Sequence, residues 1–160
     1  MAALSPAERQ ERIEILRRFP AQLEARVRDL SAEDLTTRYM DEEWTVQQIV
    51  HHVADSHMNS IIRLKLILTE DYPPLKPYDQ AIWAELPDTN AVPIQASLLI
   101  LKGLHERFVA LFESLTDDQW LRKGLHAANG DYTPDDILVI YSDHGQIHID
   151  QINKVLAAKP

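Results

Sequence analysis

The chain contains no cysteine, which excludes disulfides and thiolate metal sites together, so any metal must be held by histidine and carboxylate. Basic charge is scarce. With 16 Lys and Arg against 25 Asp and Glu, the formal net charge is −9, and the densest basic group, Arg17 and Arg18, reads as a solvated helix face. A nucleic-acid partner, which would call for a basic patch, is not expected. Long apolar runs are missing too, so nothing is expected to span a bilayer. Met1–Pro6 leads straight into charged residues rather than an apolar leader, which points to a soluble cytoplasmic protein with no membrane partner. Only four glycines occur, and no Asn-Gly or Asp-Gly signal stands between alternating runs, so little supports a sheet.

What is present is helical. The 160 residues suit a single domain, 1–160, and four long amphipathic runs predict an all-α four-helix bundle with long loops. Ser5-Pro6-Ala7-Glu8 opens the first helix, through Ile13, Leu16 and Phe19. Pro20 should kink or restart it, a second piece continuing through Leu23, Val27 and Leu30. Ser31 caps a short turn, and a charged connection follows in which Tyr39, Glu42 and Glu43 are either a pocket mouth or ordinary loop surface. The second long helix should run from a Thr45 cap to about Thr69. Pro73, Pro74 and Pro77 then forbid regular helix, and the link lasts to about Val92. The third helix begins near Pro93 and carries Leu98, Leu101, Leu104, Phe108 and Leu111, with His105 beside its stripe, read as structural or exposed. Thr116 caps a short turn, and a loop from Gly124 to Asp131 holds His126. Thr133, with Asp135 and Asp136 in the first turn, opens the last helix. Trp44, Trp83 and Trp120 are read as packing anchors.

The chemistry gathers on that last helix. His144 and His148, four residues apart, share a face with Ile137, Ile140, Tyr141, Ile147, Ile152 and Val155, so both imidazoles should point inward. Inward polar rings need hydrogen bonds or a metal. A catalytic site of this kind takes three protein ligands and an open position, and the stretch His51-His52-Val53-Ala54-Asp55-Ser56-His57 offers the third. Periodicity makes His51 the poorest candidate and leaves both His52 and His57 open. Asp55, one turn beyond His52, could orient its ring or act on water. The metal-free alternative is a set of hydrogen-bonded core histidines. Asp143 and Asp150 read as solvated.

Trp44 to Ser60, with Ile62-Arg63-Leu64-Lys65, Leu68-Thr69-Glu70, Lys76-Pro77-Tyr78-Asp79, Trp83 to Asp88 and Leu104-His105-Glu106-Arg107, resembles the YfiT branch of the DinB/YfiT superfamily from about Leu30 onward. That resemblance implies a four-helix bundle holding one divalent ion, zinc or nickel, on three histidines, which fall on His52, His144 and His148. It also implies a homodimer acting on a small-molecule substrate as a metal-dependent hydrolase. The alternatives are a thiol S-transferase of the bacillithiol type using the same metal, or a bundle that binds metal or ligand without catalysis. Asp55 and His57 are the expected proton-handling residues. In the last helix Asp143, Ile147 and Gln151 stand where the family pattern has a tryptophan and two histidines.

Overall fold

Among the described residues, five helices begin with a reciprocal capping box. At Ser5, Ser31, Thr45, Thr116 and Thr133 the cap hydroxyl accepts the N–H three residues on, and the side chain there returns to the cap N–H. The computed structural model describes residues 3–127 and 130–160. In chain order it contains α1 (Pro6–Val27), α2 (Ala32–Thr36), α3 (Val46–Thr69), β1 (Pro74–Leu75), α4 (Gln80–Ala84) and α5 (Pro87–Ala91). There follow α6 (Gln95–Glu113), α7 (Asp117–Trp120), β2 (Gly124–His126), β3 (Gly130–Tyr132) and α8 (Pro134–Ala157). The four long helices form the bundle: α1 and α3 each pack against both α6 and α8, and so face one another across a diagonal. None of the described helices is long and apolar enough to cross a membrane.

The apolar core is in two parts. Leu16, Leu64, Phe108, Phe112, Ile137 and Tyr141 belong to one cluster; Phe19, Leu23, Ile49, Val53, Leu101 and Ile152 belong to the other. On α3, α6 and α8 the buried residues between the clusters are polar, apart from Gly145. Ser56, His57 and Ser60 lie there on α3, His105 on α6, and His148 on α8, with half-buried His144 beside it. A layer of histidines thus crosses the bundle between two apolar halves.

Three expectations need correction. Pro20 does not restart the helix in a second piece: it lies inside α1, which is one helix of 22 residues. The missing N–H at Pro20 leaves the Leu16 carbonyl without its helical donor, and a buried carbonyl left unpaired is costly. His105 supplies the donor from α6, its Nδ1 lying 2.7 Å from Leu16 O. A small sheet also exists: β1 pairs parallel with β2, and β2 antiparallel with β3. Its strands are two or three residues long, too short to show alternation. The pair Asn129-Gly130 does stand at the β2–β3 connection in the sequence, although residues 128 and 129 lie outside the described residues. Finally, Ile147 is 60% exposed and not part of the inward stripe. Gly145 takes the inward position, so close to α1 that a Cβ there would come within 2.4 Å of the Phe19 ring.

The long link between α3 and α6 is tied to the start of α3 by side chains. Gln48 Nε2 donates to Ala84 O at 3.0 Å and Gln47 Nε2 to Thr89 O at 2.9 Å. His51 serves the same purpose, with Nδ1 at 2.8 Å from Ser97 Oγ and Nε2 at 2.9 Å from Val92 O. Both its nitrogens are occupied, which removes it from the ligand candidates.

Candidate metal centre

His52 of α3 and His144 and His148 of α8 each offer one ring nitrogen, and the three nitrogens lie within 4.8 Å of one another. A cleft of about 420 Å³ opens beside them, walled by Glu43, Trp44, Gln80 and Gln151. His144 and His148 line it directly.

Which nitrogen of each ring carries the proton follows from groups that can act in only one sense. The Leu16 carbonyl can only accept, so His105 Nδ1 is its donor, and a neutral His105 then presents a bare Nε2. That Nε2 lies 2.9 Å from His57 Nδ1, which must be the donor; His57 Nε2 therefore accepts from His144 Nδ1 at 3.2 Å. The relay touches all four long helices and leaves His144 with its lone pair on Nε2. A second relay acts on His148. The Glu43 carboxylate only accepts, so Gln151 gives it an amide N–H at 2.8 Å and turns its carbonyl oxygen to His148 Nδ1 at 2.7 Å. His148 Nδ1 is thus the protonated atom, and its lone pair is also on Nε2.

The two lone pairs face each other, His144 Nε2 and His148 Nε2 being 3.1 Å apart. With both relays intact neither atom carries hydrogen, and two acceptors at that distance repel unless a cation lies between them. Two nitrogens bound to one ion at about 2.0–2.1 Å each stand about 3.1–3.4 Å apart at near-tetrahedral angles. The donor set fits such an ion, because neutral imidazoles suit zinc and nickel. A proton is a poor substitute. Burial and the adjacent His148 and His52 rings push His144 down to about 2, and burial also lowers His148. His52 is held at about 4 by burial and then by His148. Among the described residues His52 has no hydrogen-bond partner; its ring rests on Trp44 at 4.8 Å between centroids, which leaves it free to turn towards His144 and His148.

The sequence matches the DinB superfamily over residues 15–152. The chain belongs to that superfamily. It is 40% identical over 154 residues, 96% of this chain and 86% of the relative, to a Bacillus subtilis (strain 168) protein named "Putative metal-dependent hydrolase YfiT". A similarly named Oceanobacillus iheyensis protein is 41% identical over 141 residues, 88% of this chain and 81% of its own. The fold superposes on the solved structure of YfiT with a TM-score of 0.92 at 39% identity, covering 97% of this chain and 89% of that one. YfiT is described there as a "probable metal-dependent hydrolase with an unusual four-helix bundle topology". A mycothiol-dependent maleylpyruvate isomerase gives a TM-score of 0.71 at 15% identity, covering 90% of this chain and 60% of that one, a likeness of fold alone.

Of the residues singled out from sequence, His52, His144 and His148 are brought together. His57 is fully buried behind His144 and touches it. Asp55 is not brought to the cluster: among the described residues it has no hydrogen bond to His52, and it lies outside the cleft. Burial and then Asp88 raise its pKa, while His51 opposes the rise. Glu43, read from the sequence as either pocket mouth or loop surface, does line the cleft, whereas the contacts that Gln151 and the buried His105 make to the histidines were not anticipated. Gln151 stands one turn past His148, a spacing that was legible; nothing in the sequence showed that Glu43 would hold Gln151 or tied Leu16 to the site. Trp83, 36% exposed and stacked near Tyr78, is not a core anchor, whereas Trp120 is buried under the Arg9 guanidinium.

Proposed function

We propose that this protein is a metal-dependent hydrolase in which His52, His144 and His148 hold one zinc or nickel ion. The observation that carries the reading is the pair of facing lone pairs at 3.1 Å, each fixed by its own relay. When bound, such an ion acts as a Lewis acid and makes water nucleophilic near neutral pH. The protein's part is to keep three imidazoles neutral, which burial accomplishes, and to aim His144 and His148, which the relays accomplish. His57 is a positioning residue, since with no exposure it meets no substrate. We assign Asp55 no contact with the reacting atoms, and expect Asp55→Asn to retain metal and most of its turnover. The hydrolase names of relatives at about 40% identity support hydrolysis over thiol transfer.

The test is elemental analysis of untagged protein, with turnover of ester and amide panels before and after metal stripping and a parallel thiol-conjugation assay. One equivalent of metal and metal-dependent hydrolysis are expected. Thiol conjugation without hydrolysis would make the protein a transferase, and metal without turnover would make it a binding bundle. Failure to take up metal would return the histidines to a structural role.

A further inference from the structure

Next to the histidine cleft lies a second cavity of about 210 Å³, whose wall includes Ser56, Arg63, Tyr78, His126, Tyr132 and Tyr141. Arg63 is only 7% exposed. Its Nη2 donates to the Lys76 carbonyl at 2.8 Å, but its buried Nε has no partner, and among the described residues no carboxylate pairs with the guanidinium. A guanidinium is always charged, and a buried charge is ordinarily paired, because an uncompensated one is strongly destabilising. The phenols around it cannot neutralise it. Burial holds Tyr78 and Tyr132 above the usual phenol range, so they remain neutral O–H groups, able to donate to an incoming anion.

The two cavities adjoin. Gln80 lines both, and Ser56 Oγ lies 3.5 Å from Tyr141 Oη and 3.5 Å from His144 Nε2. A small group seated at Arg63 would therefore have its continuation directed at the nitrogen that faces the proposed metal. We infer that the Arg63 cavity is the subsite for a carboxylate group of the substrate, which rests on the metal-centre reading for the word substrate but on Arg63 for the binding. One cation among neutral hydroxyls matches one negative charge. A phosphate dianion would leave a charge uncompensated, so the class of compound is a small carboxylic acid whose reactive bond lies a few atoms from its carboxylate.

Calorimetric titration of the metal-loaded chain with butyrate, and with neutral butyramide of similar shape, tests this. Butyrate is expected to bind, and butyramide to bind about ten- to a hundredfold more weakly, the range of a charge-assisted hydrogen bond. Arg63→Met should weaken butyrate by a similar factor at unchanged metal content, and Arg63→Lys should restore part of it. Tyr132→Phe, which keeps the guanidinium, should weaken butyrate several-fold and serves if the Arg63 variants fail to fold. Equal butyrate affinity in wild type and Arg63→Met, or in wild type and Tyr132→Phe, would overturn the subsite, as would no butyrate binding at all. If the protein takes no metal yet butyrate still depends on Arg63, the metal reading fails and the carboxylate site stands.

Discussion

A neutral imidazole has one proton for two nitrogens, and at this site its placement is decided by atoms that cannot exchange roles. The Leu16 carbonyl and the Glu43 carboxylate, through His105 and His57 on one side and Gln151 on the other, leave Nε2 bare on both α8 histidines. In metal-free protein at neutral pH, His57, His105, His144 and His148 are all expected as the Nδ1–H form. Long-range proton–nitrogen correlation spectra distinguish the two forms, and an Nε2–H signal for His144 or His148 would undo the relay. His57→Phe, which removes the acceptor for His144 Nδ1, and Gln151→Leu, which removes that for His148 Nδ1, should each weaken metal about 10- to 100-fold. Competition against a chromophoric chelator measures it, and wild-type affinity in both variants would mean that the partners do not orient the ligands. The Gln151 amide supplies the acceptor that His148 needs.

At the scale of the helix, Pro20 and Gly145 are two local weaknesses that the packing turns to use. A proline inside a helix forfeits a hydrogen bond, and the carbonyl thereby released on α1 becomes the anchor of the relay from α6. Glycine inside a helix costs about 1 kcal/mol relative to alanine, yet between His144 and His148 nothing larger fits against Phe19. Phe19 in turn stacks on His57, with centroids 5.4 Å apart and planes inclined by 16°. Gly145→Ala should therefore destabilise the protein by about 1–3 kcal/mol, the ordinary cost of overpacking, despite the better helix former. A gain in the denaturant midpoint would show that α1 and α8 have room to separate.

For the molecule as a whole, the buried histidine layer makes stability depend on pH in a defined direction. His105 is held by burial at about 4, against an ordinary value of 6.5, with the Leu16 carbonyl opposing. Between those values the unfolded chain binds a proton that the folded chain does not, so stability rises with pH. It is fully present above about 6.5 and is lost as pH falls towards 4. From His105 alone the loss is on the order of 3 kcal/mol, and the other depressed imidazoles act in the same sense. Urea unfolding of metal-stripped protein from pH 7.5 to 4.5 should show this decline. A flat profile would mean that the layer is hydrated and not as buried as it stands here.

Helix positions and the inward pairing of His144 with His148 were legible in the chain because they are local. A cap acts within three residues, and i and i+4 share a face whatever the helix later packs against. The choice of His52 over His57 came from resemblance, since both lie within reach of the α3 stripe, and the superfamily assignment agrees with that resemblance. Tertiary structure alone decided the rest. His105 looked peripheral on α6 because its partner is a carbonyl 89 residues away, exposed by a proline in another helix. Ile147 looked inward because periodicity cannot tell which flank of a stripe meets a neighbour, and here Phe19 needs the space beside Gly145. The proton positions on the histidines depend on acceptors supplied by α1 and by the loop before α3. Spacing along one helix specifies where a ring can point, but only contacts between helices determine which of its nitrogens is bare.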